Sequence, residues 1–160
     1  MEQFKNISGD QLDLDRRAAT PPTPAEGITR GAARLLRQLG FEVIEEFKLT
    51  SRRRADIAGL DRRGRFVIVE VKSSLADFRA DRKWPDYLAH ADWFYFAVAD
   101  GFPIDTLPDD QGLIVADAFH GAVLRAAAER PMNGNRRRAQ LLRFARTGAN
   151  RLARLLDPAP

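Results

Sequence analysis

Two motifs in the first half of the chain contain the residue types that hold a divalent cation against a phosphodiester. Asp56 follows a basic segment, and Glu70 and Lys72 stand at the end of the apolar run at residues 66–69. Because successive side chains of a strand point to opposite faces, Glu70 and Lys72 would share one face, about 7 Å apart. Two carboxylates and an ammonium at one point of a sheet are suited to binding a metal ion and a water molecule beside a phosphate.

The strand that contains Glu70 and Lys72 is predicted to be central and buried. Both of its faces are apolar, since residues 66 and 68 share the face of Glu70 and three valines occupy the other. Charged groups at the end of such a strand are costly unless they are paired or bind a metal. The Gly-containing turn at residues 61–64 predicts that this strand is antiparallel to the one near Asp56. A Glu-X-Lys tripeptide on a solvated face is the alternative interpretation.

Composition predicts one globular domain. The chain has 160 residues, of which 44% are hydrophobic, and this suffices for a single core. We expect the domain at residues 22–160, after a polar, flexible tail at residues 1–21. No run approaches the roughly 20 apolar residues of a membrane span, and the first six residues lack the apolar run of a secretory signal. With no cysteine to form disulfides or thiolate metal sites, a cytoplasmic, nucleoid-associated protein is expected.

The charge balance predicts a polyanionic partner. The formal net charge is +4, and arginine, whose planar fork matches phosphate, supplies 22 of the 26 basic residues. A coding bias toward arginine would explain this ratio, but it explains less well why arginines cluster beside Asp56. DNA is therefore the expected partner. The residues expected to bind it are Arg52, Arg53, Arg54, Arg136, Arg137 and Arg138.

The order of predicted elements is that of an α/β protein. A capping box at residues 23–26 begins a helix that ends at Gly40, and strands follow at 41–49, near Asp56 and around Glu70. Ser74 begins a second helix, which Pro85 interrupts, and residues 93–98 form a buried strand. Residues 113–116 and 122–124 predict a hairpin. A basic amphipathic helix then runs from about residue 135 to 156, and its predicted apolar stripe is Leu141, Leu142, Ala145, Ala149, Leu152 and Leu156.

This order resembles the core of the PD-(D/E)XK nuclease superfamily, which has the restriction-endonuclease-like fold. The run at residues 70–87, EVKSSLADFRADRKWPDY, resembles the signature of MmcB-type bacterial DNA repair proteins, as do residues 94–98, 112–117, 136–139 and 142–145. The resemblance covers nearly all of the chain from Pro24 onward. It implies a central mixed sheet of about five to six strands flanked by helices. It also implies a DNA repair nuclease related at a distance to Holliday-junction resolvases.

The resemblance implies a role for each residue of the two motifs. Asp56, Glu70 and the backbone carbonyl of Val71 would bind Mg²⁺ or Mn²⁺, which take hard oxygen ligands. Lys72 would orient the attacking water or help to deprotonate it, and would offset charge on the phosphate. The expected products are a 5′-phosphate and a 3′-hydroxyl.

For the further candidate site residues, more than one role stays open. Glu26 would supply the fourth carboxylate that many superfamily members take from the first helix, but it also completes the capping box. Glu45 is its rival, since it shares strand parity with the apolar residues 41, 43 and 47. Lys83 and Tyr87 resemble a Gln-X-X-X-Tyr element with lysine in place of glutamine, which leaves a phosphate contact. Trp84 would stack on an unpaired base or pack in the core.

The sequence therefore predicts a Mg²⁺-dependent endonuclease acting on structured or damaged DNA, with Asp56, Glu70 and Lys72 as its catalytic residues. A non-catalytic DNA-binding repair factor with the same fold is the alternative, and a nuclease that processes RNA stays open. The C-terminal helix would bind the DNA backbone or cover apolar surface, and its stripe could pack across a homodimer.

Overall fold

The computed structural model of the protein describes residues 22–158, so the tail predicted at residues 1–21 lies outside the described part. Its helices are α1 (Pro24–Gln38), α2 (Leu75–Ala80) and α3 (Gly134–Leu156), and its strands are β1 (Glu42–Lys48), β2 (Arg54–Leu60), β3 (Phe66–Lys72), β4 (Trp93–Val98), β5 (Gly112–Ala116) and β6 (Gly121–Arg125). Short 3-10 helices span Trp84–His90 and Ile104–Thr106. The elements follow the predicted order, including the break of the second helix before Pro85.

The six strands form one mixed sheet in chain order. Strands β1, β2 and β3 are an antiparallel meander, β3, β4 and β5 are parallel, and β6 returns antiparallel to β5. The predicted α/β fold, with a mixed sheet of about five to six strands flanked by helices, is confirmed. Because α2 and the 3-10 helix that follows it connect β3 to β4, the crossover brings the parallel strand back beside β3.

Helix α1 covers one face of the sheet. It begins with the predicted capping box, in which Thr23 accepts the Glu26 backbone N–H and the Glu26 carboxylate accepts that of Thr23. Its buried residues pack with Val67, Val69 and Val71 of β3 in one core cluster. The helix ends before Gly40, whose φ of +89° is the left-handed conformation that glycine adopts at least cost.

The 3-10 helix at Trp84–His90 and α3 cover the opposite face. Phe144 of α3 packs edge-on against Phe47 and Phe66, with ring centroids 5.5 and 5.8 Å apart, and these residues belong to the second core cluster. Strand β3 lies between the two layers, and all seven of its residues are buried. The prediction that β3 is a central strand with buried charges at its end is confirmed.

The buried face of α3 differs from the predicted apolar stripe. Phe144 and Gln140 are buried. By contrast, Leu142, Leu152 and Leu156 are 61%, 56% and 78% exposed. Leu141 of the predicted stripe packs against the core, whereas the prediction is wrong for these three leucines, because Phe144 lies on the face that meets the sheet. Within residues 22–158, no helix, α3 included, has the length and apolarity that a membrane crossing requires.

Strand β1 changes face at Glu46. This residue has a left-handed φ of +51°, and the irregularity shifts the alternation of side chains by one position. Ile44 and Phe47, three residues apart, therefore both pack on the α3 side, whereas Val43 packs on the α1 side. The predicted parity of Glu45 with Phe47 is wrong for this reason.

Candidate active site

The carboxyl end of β3 opens into a cleft of about 790 Å³ beside the first turn of α1. Its cationic lining residues are Arg30 and Lys72. Acidic residues dominate the wall, namely Glu26, Glu45, Glu46, Asp56, Glu70 and Asp77. A protein with a net charge of +4 thus contains a locally anionic cleft.

Strands β2 and β3 separate at the floor of this cleft. Their backbone pairing ends at Ile57 and Val69, one residue before Asp56 and Glu70. Beyond this point, side-chain carboxylates accept the backbone N–H groups. Asp56 Oδ2 accepts the Val71 N–H at 2.7 Å, and the Asp56 N–H donates to Glu70 Oε1 at 3.4 Å. The two carboxylates are therefore held together where the strands diverge.

The environment of this pair opposes ionisation. Burial, together with the negative charge of Asp56, raises the pKa of Glu70 to about 8. Burial also raises the pKa of Asp56, against the Val71 N–H and Lys72, and the charges of Glu46 and Asp77 add to the rise. A buried and a half-buried carboxylate that resist ionising together form a place where a bound cation is favoured.

The Lys72 ammonium lies at the edge of the pair. Its side chain is buried, and Nζ lies 3.8 Å from Glu70 Oε2 but only 2.6 Å from Asp81 Oδ2. The structure thus brings Asp56, Glu70 and Lys72 to one end of the sheet and adds Asp81 as the closest partner of the lysine.

Comparison with known proteins places the chain in a family. A family model described as DNA repair protein MmcB-like matches residues 15–159. The chain belongs to the MmcB-like DNA repair protein family. Among solved structures it is similar to the SPO1766 protein of unknown function from Silicibacter pomeroyi, with 40% identity and a TM-score of 0.82. The match covers 87% of this chain and 95% of that one. No curated protein matches the chain.

A second solved structure, a repair endonuclease from Pyrococcus abyssi, is much less similar. Its identity is 15% and its TM-score 0.36, over 74% of this chain and 50% of that one. A likeness of this size carries no argument about the function of the MmcB-like protein.

In this member of the MmcB-like family, both candidates for a fourth carboxylate line the cleft, and each also has a structural partner. Glu26 Oε2 accepts the Thr23 backbone N–H at 2.8 Å and the Thr23 hydroxyl at 3.0 Å, and these bonds lower the pKa of Glu26. Glu45 lies 3.8 Å from the Arg37 guanidinium on α1. The structure confirms the capping box, and the choice of a fourth carboxylate stays a prediction.

Two acidic residues of the cleft were missed. Glu46 lines it because the left-handed bulge interrupts β1 there, and Arg54 Nε binds Glu46 Oε2 at 2.6 Å. Asp77 accepts the Ser73 N–H and contributes to the raised pKa of Asp56. An available signal for Asp77 was its place in the first turn of α2, directly after β3.

Lys83, Trp84 and Tyr87, the candidate residues that follow Asp81, do not line the cleft. The Tyr87 hydroxyl donates to the Arg54 carbonyl at 2.9 Å, and its ring stacks on Phe94. Trp84 also stacks on Phe94, with centroids 5.7 Å apart, which is the core role considered for it. Lys83 is exposed and does not line the cleft. Contacts of these residues with nucleic acid stay predictions.

Arg137, one of the arginines predicted to bind DNA, forms hydrogen bonds within the protein. It donates to both oxygens of the buried Asp92 carboxylate at 2.8 and 2.6 Å, and to the Gly64 carbonyl at 2.8 Å. Its planar fork is therefore used inside the protein.

The other predicted arginines differ in how far they are engaged. Arg52 and Arg138 are exposed. The partners of the remaining three are Asp86 at 2.7 Å for Arg53, Glu46 at 2.6 Å for Arg54, and the Ala89 carbonyl at 2.8 Å for Arg136.

The donor set of the cleft fits Mg²⁺ with few protein ligands. Within residues 22–158, no group of three or more His, Cys, Asp or Glu residues is arranged as a metal-ligand set. The half-buried Asp56 and the buried Glu70 nevertheless offer hard oxygens that lie beside each other. Mg²⁺ is commonly held by one or two carboxylates with waters in its other positions. The two carboxylates could hold such an ion, and a Val71 carbonyl ligand stays a prediction.

Proposed function

We propose that this MmcB-like protein is a Mg²⁺- or Mn²⁺-dependent endonuclease of DNA repair. The observation that carries the proposal is the pair formed by the half-buried Asp56 and the buried Glu70 in an anionic cleft of an otherwise basic protein. Such a cleft repels the phosphates of a nucleic acid unless a cation lies between them. Membership of a DNA repair family supports DNA as the substrate.

Each residue has a defined task in hydrolysis. Asp56 and Glu70 would hold the metal, which when bound would lower the pKa of water and offset charge on the phosphate. Lys72 donates hydrogen bonds to the attacking water or to a phosphate oxygen. The water loses one proton to solvent as its oxygen forms a bond to phosphorus. The bond from phosphorus to the 3′ oxygen breaks, and that oxygen takes a proton from solvent. The products are a 5′-phosphate and a 3′-hydroxyl.

The DNA backbone would lie on the basic surface around the turn between β1 and β2. A groove of about 520 Å³ there is lined by Thr50 and by Arg143 and Arg146 of α3. A second groove, of about 620 Å³, is lined by Arg52 and Arg53. Both flank the turn that leads into Asp56, so a strand bound there approaches the cleft. Arginine contacts to phosphate would make this binding salt-dependent.

The test is cleavage of labelled duplex, single-stranded, flapped and four-way-junction DNA with Mg²⁺ or Mn²⁺. Wild type is compared with Glu70→Gln and Lys72→Ala, and with Asp109→Asn, an exposed carboxylate outside the cleft, as the matched control. We expect wild type and the control to cleave and both site variants to lose at least about 10²-fold in rate, the scale of losing one positioned catalytic group. Full cleavage by Glu70→Gln would overturn the site assignment.

A non-catalytic DNA-binding repair factor is the second candidate. It is favoured by one observation: within the described residues, Asp56 and Glu70 have no third carboxylate arranged with them as a metal-ligand set. Tight DNA binding by wild type, without cleavage of any of the four DNA structures in either metal, would favour this candidate.

Preference for branched DNA and a homodimer complete the proposal. Two-fold symmetry would suit a four-way junction, and the exposed Leu142, Leu152 and Leu156 of α3 offer an apolar face for a second copy. Light scattering of the free protein measures the mass. A monomer at all concentrations used for cleavage would remove the dimer from the proposal.

A further inference from the structure

The closest partner of the Lys72 ammonium lies outside the metal-binding pair. Nζ is 2.6 Å from Asp81 Oδ2 and 3.8 Å from Glu70 Oε2, and the Lys72 side chain is 5% exposed. The shorter contact is a charge-assisted hydrogen bond, which is stronger than an ion pair at the longer distance. The buried lysine is therefore held mainly from the side of α2.

Asp81 is itself fixed in place. It caps the carboxyl end of α2, where its backbone N–H donates to the carbonyls of Asp77 and Phe78. Its second carboxylate oxygen, Oδ1, accepts the Lys83 N–H at 2.8 Å. With the backbone anchored and one oxygen occupied, the other oxygen faces Lys72.

We propose that Asp81 is a positioning residue that draws the Lys72 ammonium away from Asp56 and Glu70 and so leaves their oxygens to a divalent cation. This inference rests on the proposed function, because it assigns Asp81 a task in the same site. Without Asp81, the buried ammonium has Glu70 as its nearest remaining carboxylate. Its positive charge would then compete with the metal for the same oxygens.

A purely structural ion pair would behave differently. If Asp81 only anchored α2 to β3, its removal would lower stability but would leave the metal affinity of the folded protein unchanged. Competition by Lys72 instead predicts a loss of metal affinity that depends on the presence of the lysine. The two accounts are separated by a double-mutant cycle.

The experiment is calorimetric titration of the full chain with Mn²⁺ alone. It uses wild type, Asp81→Asn, Lys72→Met and the double variant, each checked for folding by circular dichroism. Asp86→Asn is the matched control, because it removes an exposed carboxylate nearby in the chain that pairs with Arg53 and does not line the cleft. We expect Asp81→Asn to bind Mn²⁺ about tenfold more weakly, as for other residues that orient metal ligands. Lys72→Met and the double variant should bind equally to each other and no more weakly than wild type.

Each other result overturns the inference. Equal affinities for wild type and Asp81→Asn would do so while leaving the proposed function intact, as would a loss that persists in the double variant or that Asp86→Asn reproduces in full. No Mn²⁺ binding by wild type would overturn both this inference and the metal-dependent function. If Asp81→Asn does not fold, Asp81→Glu replaces it, and its longer side chain should produce a smaller loss that again requires Lys72.

Discussion

A buried carboxylate lies beside each end of β3, and the pKa of one is lowered whereas the pKa of the other is raised. At the start of the strand, Asp92 accepts bonds from the Phe66 and Met132 backbone N–H groups and from the Arg137 fork. Burial alone would oppose its ionisation, but these bonds outweigh burial and lower the pKa of Asp92. At the other end, burial and Asp56 raise the pKa of Glu70.

The difference separates a group that stabilises the fold from a group that we propose holds a metal ion. Asp92 ties β3 to the start of α3 and has bonds to both oxygens, so its charge is fully compensated. Glu70 receives one long bond from the Asp56 N–H and a distant ammonium. Under-compensated buried charges cost stability and are retained where a ligand compensates them.

The largest effect is expected at the compensated end. Asp92→Asn removes the charge that faces the Arg137 guanidinium and should lower the free energy of unfolding by about 3 kcal/mol. This is the lower end of the cost of breaking a buried ion pair, because the Arg137 side chain left unpaired is 22% exposed. Urea unfolding followed by circular dichroism measures this. A loss under about 1 kcal/mol would show that the two ends of β3 do not differ as described.

At the carboxyl end of β3, we expect ionisation of the Glu70 carboxylate to lower the stability of the folded protein. The folded protein holds the Glu70 proton up to a pKa of about 8, whereas the unfolded chain releases it near the ordinary value of 4.5. Between these values the folded state binds more protons, so the stability of the metal-free protein should fall as pH rises from about 5 to 8.

Glu70→Gln should remove the loss of stability with rising pH that is due to Glu70. This variant should be more stable than wild type by about 1–2 kcal/mol above pH 8. Urea unfolding in EDTA at several pH values checks this. A Glu70→Gln protein with the same pH slope as wild type would mean that the Glu70 carboxylate is compensated in the folded state after all.

A smaller effect separates the arginines of the fold from those of the surface. Replacing Arg143 and Arg146 together by alanine should weaken duplex binding about tenfold and reduce the slope of log affinity against log salt by about 2, one for each phosphate contact. Fluorescence anisotropy at several salt concentrations measures both. Arg137→Met should instead lower stability and leave the salt slope unchanged; a reduced slope would place Arg137 on the DNA.

The smallest effect is expected for an exposed ion pair. Asp86→Asn breaks the contact between Asp86 and Arg53, whose side chains are 52% and 36% exposed, and should change the free energy of unfolding by less than about 0.5 kcal/mol. Thermal unfolding of Asp86→Asn and of Asp92→Asn under the same conditions compares the two ion pairs. A change as large as that of Asp92→Asn would mean that burial does not distinguish the two pairs.

The sequence predicted those features that depend on local pattern. The apolar run of β3, with valines on one face and a Gly-containing turn before it, was enough to place Glu70 and Lys72 in a buried strand beside Asp56. The capping box at Thr23 and Glu26 likewise depends on four consecutive residues.

Features that depend on distant contacts could not be predicted. The left-handed bulge at Glu46 is stabilised by Arg54 and by Arg151, which lies more than 100 positions away. The contact face of α3 is determined by Phe144 meeting Phe47 and Phe66, and a helical wheel weighted by the number of leucines points elsewhere. The pairing of Arg137 with Asp92 is equally hidden, because it spans 45 positions.

The bulge at Glu46 limits how far the chain can be shortened from its carboxyl end. Burial alone suggests that α3 is dispensable after Phe144, since residues 149–158 are all exposed. Yet Arg151 donates to the Glu45 carbonyl at 2.6 Å and to the Glu46 carbonyl at 3.1 Å, both on the wall of the acidic cleft. A fragment cut at the last buried residue would keep the core and lose this brace, so fragments intended for crystallisation or activity measurements should extend beyond Arg151.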